Sequence, residues 1–158
     1  MNAPESGNSE PPAGTKVCTL VITTYNRPAL LDWSLSHLRG LIIPQGWQAE
    51  VLLVDNHPEG NARPVYEKAA RDFPLPVRYV AESKLGLSHA RNRGIAESYG
   101  DYIAFLDDDA KLRSDWLVEM ARTFEEKQAD VAGSRILLWW EAVQIPAWFN
   151  KHHRALIS

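Results

Sequence analysis

From Lys16 onward, short apolar runs alternate with helical patterns four times, and this rhythm limits what the chain can fold into more than any other feature. Val17–Thr23 (VCTLVIT) and Glu50–Asp55 (EVLLVD) are nearly continuous apolar, β-branched runs, the pattern of strands buried on both faces. Val77–Ala81 and Tyr102–Leu106 (YIAFL) read as third and fourth strands, and Val131–Leu138 as a fifth. Between them, Leu31, Leu35 and Leu38 recur at helical spacing. Asn26 is the expected cap of that helix, with Pro28 in its first turn and Gly40 at its end. Val65, Ala69 and Phe73 mark a second helix, ended by Pro74 and Pro76; Leu87–Tyr99 is a third, stopped by Gly100. Ser114 is the expected cap of a fourth, with Leu117, Met120, Ala121 and Phe124 inward. Crossovers of this length permit parallel pairing. The expected fold class is therefore α/β, an open, mostly parallel sheet with helices on both faces.

The 158 residues suit one domain, expected over 16–138. The first fifteen (MNAPESGNSEPPAGT) hold almost nothing to bury and read as a disordered tail. They also lack the basic and apolar regions of a secretory signal. With 45% hydrophobic and 23% charged residues, the composition is that of an ordinary globular domain. A net charge of −3 argues against a general nucleic-acid binder. One cysteine, Cys18, excludes an internal disulfide and a cysteine-based zinc site. No apolar run approaches the roughly 20 residues that span a bilayer. The expected compartment is reducing and cytoplasmic.

In open parallel sheets ligands bind at the carboxyl ends of the strands, so the residues just past each strand matter most. They are Thr23-Thr24-Tyr25-Asn26-Arg27, then Asp55-Asn56-His57, then Glu82-Ser83-Lys84 with Gly86, then Asp107-Asp108-Asp109. Three successive carboxylates repel one another in a confined site, and a bound divalent cation relieves this. Mg2+ and Mn2+ prefer such oxygen ligands, and Mg2+ is commonly shared with substrate phosphates. In extended backbone Asp107 and Asp109 point one way and Asp108 the other. Asp107 and Asp109 are thus the expected metal pair, with Asp108 facing a neighbouring loop; the bland reading is a solvated acidic turn. Leu85–Gly94 (LGLSHARNRG) opens a helix with Gly86 at its entrance and Arg91 and Arg93 close behind. Glycine allows close backbone approach and helix N-termini favour anions, which beside an acidic metal site suggests a diphosphate. Asp55 is a candidate acceptor for a base or ribose, or a loop-capping aspartate. His57 reads as a solvated loop residue and Cys18 as a small core residue.

The segments VITTYNRP, LLVDN, KLGLSHARNRGI and YIAFLDDDA, in this order, resemble the nucleotide-diphospho-sugar transferases of glycosyltransferase family 2, which have the GT-A fold. The resemblance runs from Val17 to Gly133. It implies transfer of a sugar from a nucleotide-activated donor, with Mg2+ or Mn2+ on the diphosphate and a glycan, lipid or protein as acceptor. It further implies that Asp109 ligates the metal and that Asp107 contacts donor ribose or metal. By the same resemblance Asp55 reads the donor base, Thr23, Tyr25 and Arg27 cradle the nucleotide, and Arg91 lies near the diphosphate.

An inverting transferase needs a carboxylate to deprotonate the acceptor hydroxyl. After Asp130 the sequence offers Glu141, whose surroundings do not match the family's later acidic motif, so no catalytic base is assigned. The chain is accordingly expected to be a fragment, a truncated product or part of a larger assembly. Residues 139–158 begin with an aromatic stretch, WWEAVQIPAWF, suited to stacking on a sugar, lying on the inner face of a membrane, or packing against a further acceptor part or another chain. Three functions compete: a metal-dependent transferase, a non-catalytic nucleotide-sugar-binding module, and a phospho-receiver-like domain. The last would carry a lone aspartate after its third strand and a lysine after its fifth, where this sequence has Glu82 and no lysine near Gly133.

Overall fold

The computed structural model describes residues 14–137. In chain order they form β1 (Lys16–Thr24), α1 (Pro28–Leu38), β2 (Trp47–Asp55), α2 (Arg63–Asp72), β3 (Val77–Ala81), α3 (Leu87–Glu97), β4 (Tyr102–Asp107) and α4 (Trp116–Lys127). The sheet order is β3-β2-β1-β4, and every pairing is parallel. The α/β class and the parallel sheet expected from the alternation are therefore present.

Side chains alternate across the sheet with the period of two that strands impose. Cys18, Leu20 and Ile22 of β1 join Ala49, Val51 and Leu53 of β2 in one core cluster with Leu31, Leu35 and Leu38 of α1, Ala69 of α2 and Leu117 of α4. Val21, Leu52 and Val54, one step out of phase, pack on the opposite face against Ala90 of α3. Three helices thus cover one face and α3 covers the other. Its close approach depends on Gly94, where an added Cβ would lie 2.4 Å from Val21 Cγ1.

The second face also holds a buried charge. Glu50, 1% exposed, accepts from Thr19 Oγ1 and takes two hydrogen bonds from the Arg78 guanidinium at 2.7 and 2.9 Å. Arg78 donates onward to the Glu97 carbonyl at the end of α3 and lies over the Tyr99 ring. The hydrogen bond to Glu50 holds the Arg78 guanidinium above its usual range. The network ties β1, β2 and β3 to the C-terminus of α3.

Four local expectations are corrected. Asn26 does not cap α1: it takes a left-handed φ of 54°, Arg27 occupies the cap position, and no side chain bonds the helix there. Pro28 starts the helix as expected. β2 begins at Trp47 rather than Glu50, since Trp47 is buried against the α1 side of the sheet. Helix α4 starts at Trp116, beyond Ser114, whose carbonyl instead accepts the Ile42 N–H. No strand forms over residues 131–137, although their β-branched pattern matches one; Val131 is 87% exposed. A strand needs an edge to pair with, and a local pattern carries no information about that. Arg122 begins a second compact unit of the chain; the first, whose described residues start at Gly14, ends at Ala121. The expected N-terminal tail, apart from its last two residues, and the aromatic segment 139–158 lie outside the described residues.

Candidate functional site

At the carboxyl ends of the strands, on the α3 side, lies a cavity of about 550 Å³. Thr23, Thr24, Tyr25 and Arg27 line it from the end of β1 and Asn56 from the end of β2. Leu85, Gly86, Leu87 and Ala90 line it from the entrance of α3, and Asp107, Asp108 and Asp109 from the end of β4. Parallel pairing brings these together: Thr23 stands in register with Asp107, and Thr24 with Asp55.

The three aspartates divide their work, though not by strand alternation: β4 ends at Asp107, and Asp108 and Asp109 lie in the turn that follows. Asp108 is 5% exposed and turned toward the β1 loop. It accepts from Thr24 Oγ1 at 2.6 Å and from Arg27 Nη1 at 3.3 Å. Asp107 and Asp109 stay open, with side chains 67% and 53% exposed. Arg91 Nη2 approaches Asp107 at 3.6 Å, and Arg27 also reaches Asp109 at 3.4 Å. Two cations thus balance part of the acidic charge. The turn after β4 is fixed by the Ala110 N–H on the Asp107 carbonyl and by Ser34 Oγ on the Ala110 carbonyl.

Among the described residues, no group of three or more His, Cys, Asp or Glu is arranged to hold a metal ion. Two open carboxylates beside a cavity, their third neighbour committed to the fold, are oxygen donors of the kind Mg2+ or Mn2+ accepts, with water or phosphate supplying the other ligands. Asp107 and Asp109 fit Mg2+ or Mn2+ on that basis.

Asp55 is placed differently from its expected role. It is fully buried and does not line the cavity. Its Oδ1 accepts the His57 N–H at 3.0 Å; its Oδ2 accepts the Ala62 N–H at 2.8 Å and the Tyr79 hydroxyl at 3.0 Å. Burial, then the Asp55 hydrogen bond and charge, hold the Tyr79 phenol above its usual range. Parity explains this: Asp55 is in phase with Leu53 and Val51, which face α1 and α2, whereas the cavity opens on the α3 side. The residue that β2 presents to the cavity is Asn56, passed over in the sequence because a neutral amide between two titratable neighbours attracts no notice. Its backbone N–H donates to the Thr24 carbonyl. Beside it, the Tyr25 and His57 rings lie 5.2 Å apart, with Tyr25 half exposed at the rim.

The sequence profile of the family described as Glycosyl transferase family 2 matches residues 19–139. The chain is 34% identical over 102 residues to the succinoglycan biosynthesis protein ExoM of Rhizobium meliloti (strain 1021), covering 65% of this chain and 33% of that protein. It is 33% identical over 116 residues to an uncharacterized glycosyltransferase, EpsJ, of Bacillus subtilis (strain 168), covering 73% of this chain and 32% of that one. Among solved structures, S. aureus TarS 1–349 in complex with UDP superposes with a TM-score of 0.63 at 21% identity, over 72% of this chain and 33% of that one. The mannosyltransferase PcManGT from Pyrobaculum calidifontis, in complex with GDP-Man and Mn2+, superposes with a TM-score of 0.61 at 22% identity, over 72% and 33%. These likenesses carry the fold, the GT-A type implied by the resemblance. The chain spans about a third or less of the length of the curated relatives it matches. No helix among the described residues is long and apolar enough to cross a membrane.

Proposed function

Because this chain belongs to glycosyl transferase family 2, we propose that its cavity binds a nucleotide-diphospho-sugar with a divalent cation for transfer of the sugar to an acceptor. The observation that carries the reading is the pair of open carboxylates, Asp107 and Asp109, on one wall of a cavity whose other wall is the N-terminus of α3. That helix has no acidic residue in its first turn and no side-chain cap, so its positive end is left for an anion. Arg27 and Arg91, paired with Asp109 and Asp107, would bind the same diphosphate. When bound, Mg2+ or Mn2+ supplies charge neutralisation of the leaving diphosphate. Thr23 and the Tyr25 ring form the nucleoside end, with the His57 ring against Tyr25 and the His57 N–H held by Asp55. The named complexes of TarS with UDP and of PcManGT with GDP-Man and Mn2+ agree with this donor class.

A second reading is a donor-binding module without turnover. It rests on the donor site alone: among the described residues that line the cavity, the acidic ones are the aspartate trio. Both readings require the donor site. Asp109→Ala, at a half-exposed side chain, should leave the melting temperature within a few degrees and weaken Mn2+-dependent binding of UDP or GDP by about tenfold or more in calorimetry. Unchanged affinity would remove Asp109 from the site.

A further inference from the structure

We infer that Asn56 is a positioning residue whose amide sets the cavity wall leading into α3; as a role in a donor site, this rests on the reading above. Asn56 is 4% exposed at the end of β2. Its Nδ2 donates to the carbonyls of Glu82, at 2.8 Å, and Lys84, at 2.7 Å, while its Oδ1 accepts the Gly86 N–H at 2.8 Å. One planar group therefore meets two acceptors and one donor from a single loop, a demand that an amide satisfies and a carboxylate of the same shape does not. Aspartate here would turn acceptor against acceptor at both carbonyls.

The loop needs such a clamp. Gly86 sits at a φ of 132°, a conformation side chains rarely adopt, and it is the cap position of α3. Leu85, Gly86 and Leu87 line the cavity, and the helix end expected to face the diphosphate follows directly. With both amide protons spent on the loop, Asn56 shapes the site through the 82–86 loop rather than by donating to a ligand.

The test uses the full chain. In the wild type, the side-chain amide protons of Asn56 should exchange with water about a hundredfold more slowly than those of exposed Asn92, read by NMR. Asn56→Asp should accelerate backbone exchange at Gly86 by about tenfold or more, leave the β1 amides unchanged, and weaken binding of UDP or GDP with Mn2+ by about tenfold. Fast exchange of the Asn56 amide in the wild type overturns the inference, and that measurement decides even if the variant does not fold. So does an equal acceleration in β1, which marks general destabilisation, or an undiminished affinity despite a loosened loop. A wild type that binds neither nucleotide would instead overturn the donor reading, and the exchange rates would still judge the clamp.

Discussion

Asp55 shows how far one residue's position decides its use. A carboxylate at a strand end beside a cavity is an obvious ligand, yet its three donors, the His57 and Ala62 N–H groups and the Tyr79 hydroxyl, leave it no face toward the cavity. Removing it would leave buried donors without an acceptor. Asp55→Ala should therefore lower unfolding free energy by about 3 kcal/mol in urea titrations. A variant of unchanged stability that had lost discrimination among UDP, GDP and dTDP would return Asp55 to the base-reading role. The aspartate trio stands out in sequence because three adjacent charges after a strand are costly unless shared; what separates Asp108 from its neighbours is the turn after β4, closed by the Ala110 N–H on the Asp107 carbonyl. Parity in β2 could have placed Asp55. Beyond the local His57 N–H its network could not be read, because the Ala62 N–H at the entrance of α2 and the Tyr79 hydroxyl of β3 reach it only in the fold.

At the scale of elements, the seating of α3 on β1 governs the site. Val21 is fully buried, and a methyl group at position 94 has no room beside it. Gly94→Ala should destabilise the fold by about 1–3 kcal/mol despite the better helix propensity of alanine. In combination with Val21→Ala the two losses should not add: a double-mutant cycle should give a coupling of about 1 kcal/mol or more. Additive losses would mean that the helix rides clear of the strand. All eight described elements were legible from apolar runs and periodicity, β3 at the expected Val77–Ala81. The errors fell at boundaries and on residues 131–137, where hydrophobic pattern shows what a segment would do in a sheet and not whether an open edge is there to receive it. Gly94 itself reads as a helix weakener in sequence; only the distance to Val21 reveals its use.

Among the described residues of the molecule, four groups hold their protons more tightly than usual. Burial pushes the Cys18 thiol from 9.0 up to about 12, and the phenols of Tyr79 and Tyr99 and the Arg78 guanidinium are also raised. The folded state thus keeps protons that the unfolded chain releases. The Cys18 contribution is fully present below about pH 9 and is lost as pH climbs toward 12; those of the two tyrosines begin to be lost only above their ordinary range. Urea unfolding should show stability falling between about pH 9 and 12, by as much as about 1.4 kcal/mol per pH unit from Cys18. Stability that rises over that interval would contradict the buried placement of Cys18. The α/β class was legible from alternation alone; the division of the helices, three on one face and α3 on the other, required the register of β1 with its neighbours.

The central claim is that Asp107, Asp109 and the entrance of α3 form a donor site that works with a divalent cation. Thermal unfolding of the full chain with UDP or GDP, in the presence and absence of Mn2+, tests it most directly, since a ligand that binds the folded state raises its apparent stability. The account predicts a rise in melting temperature with nucleotide and Mn2+ together that exceeds the sum of the separate effects. A melting temperature unmoved by either nucleotide, with or without Mn2+, would contradict it.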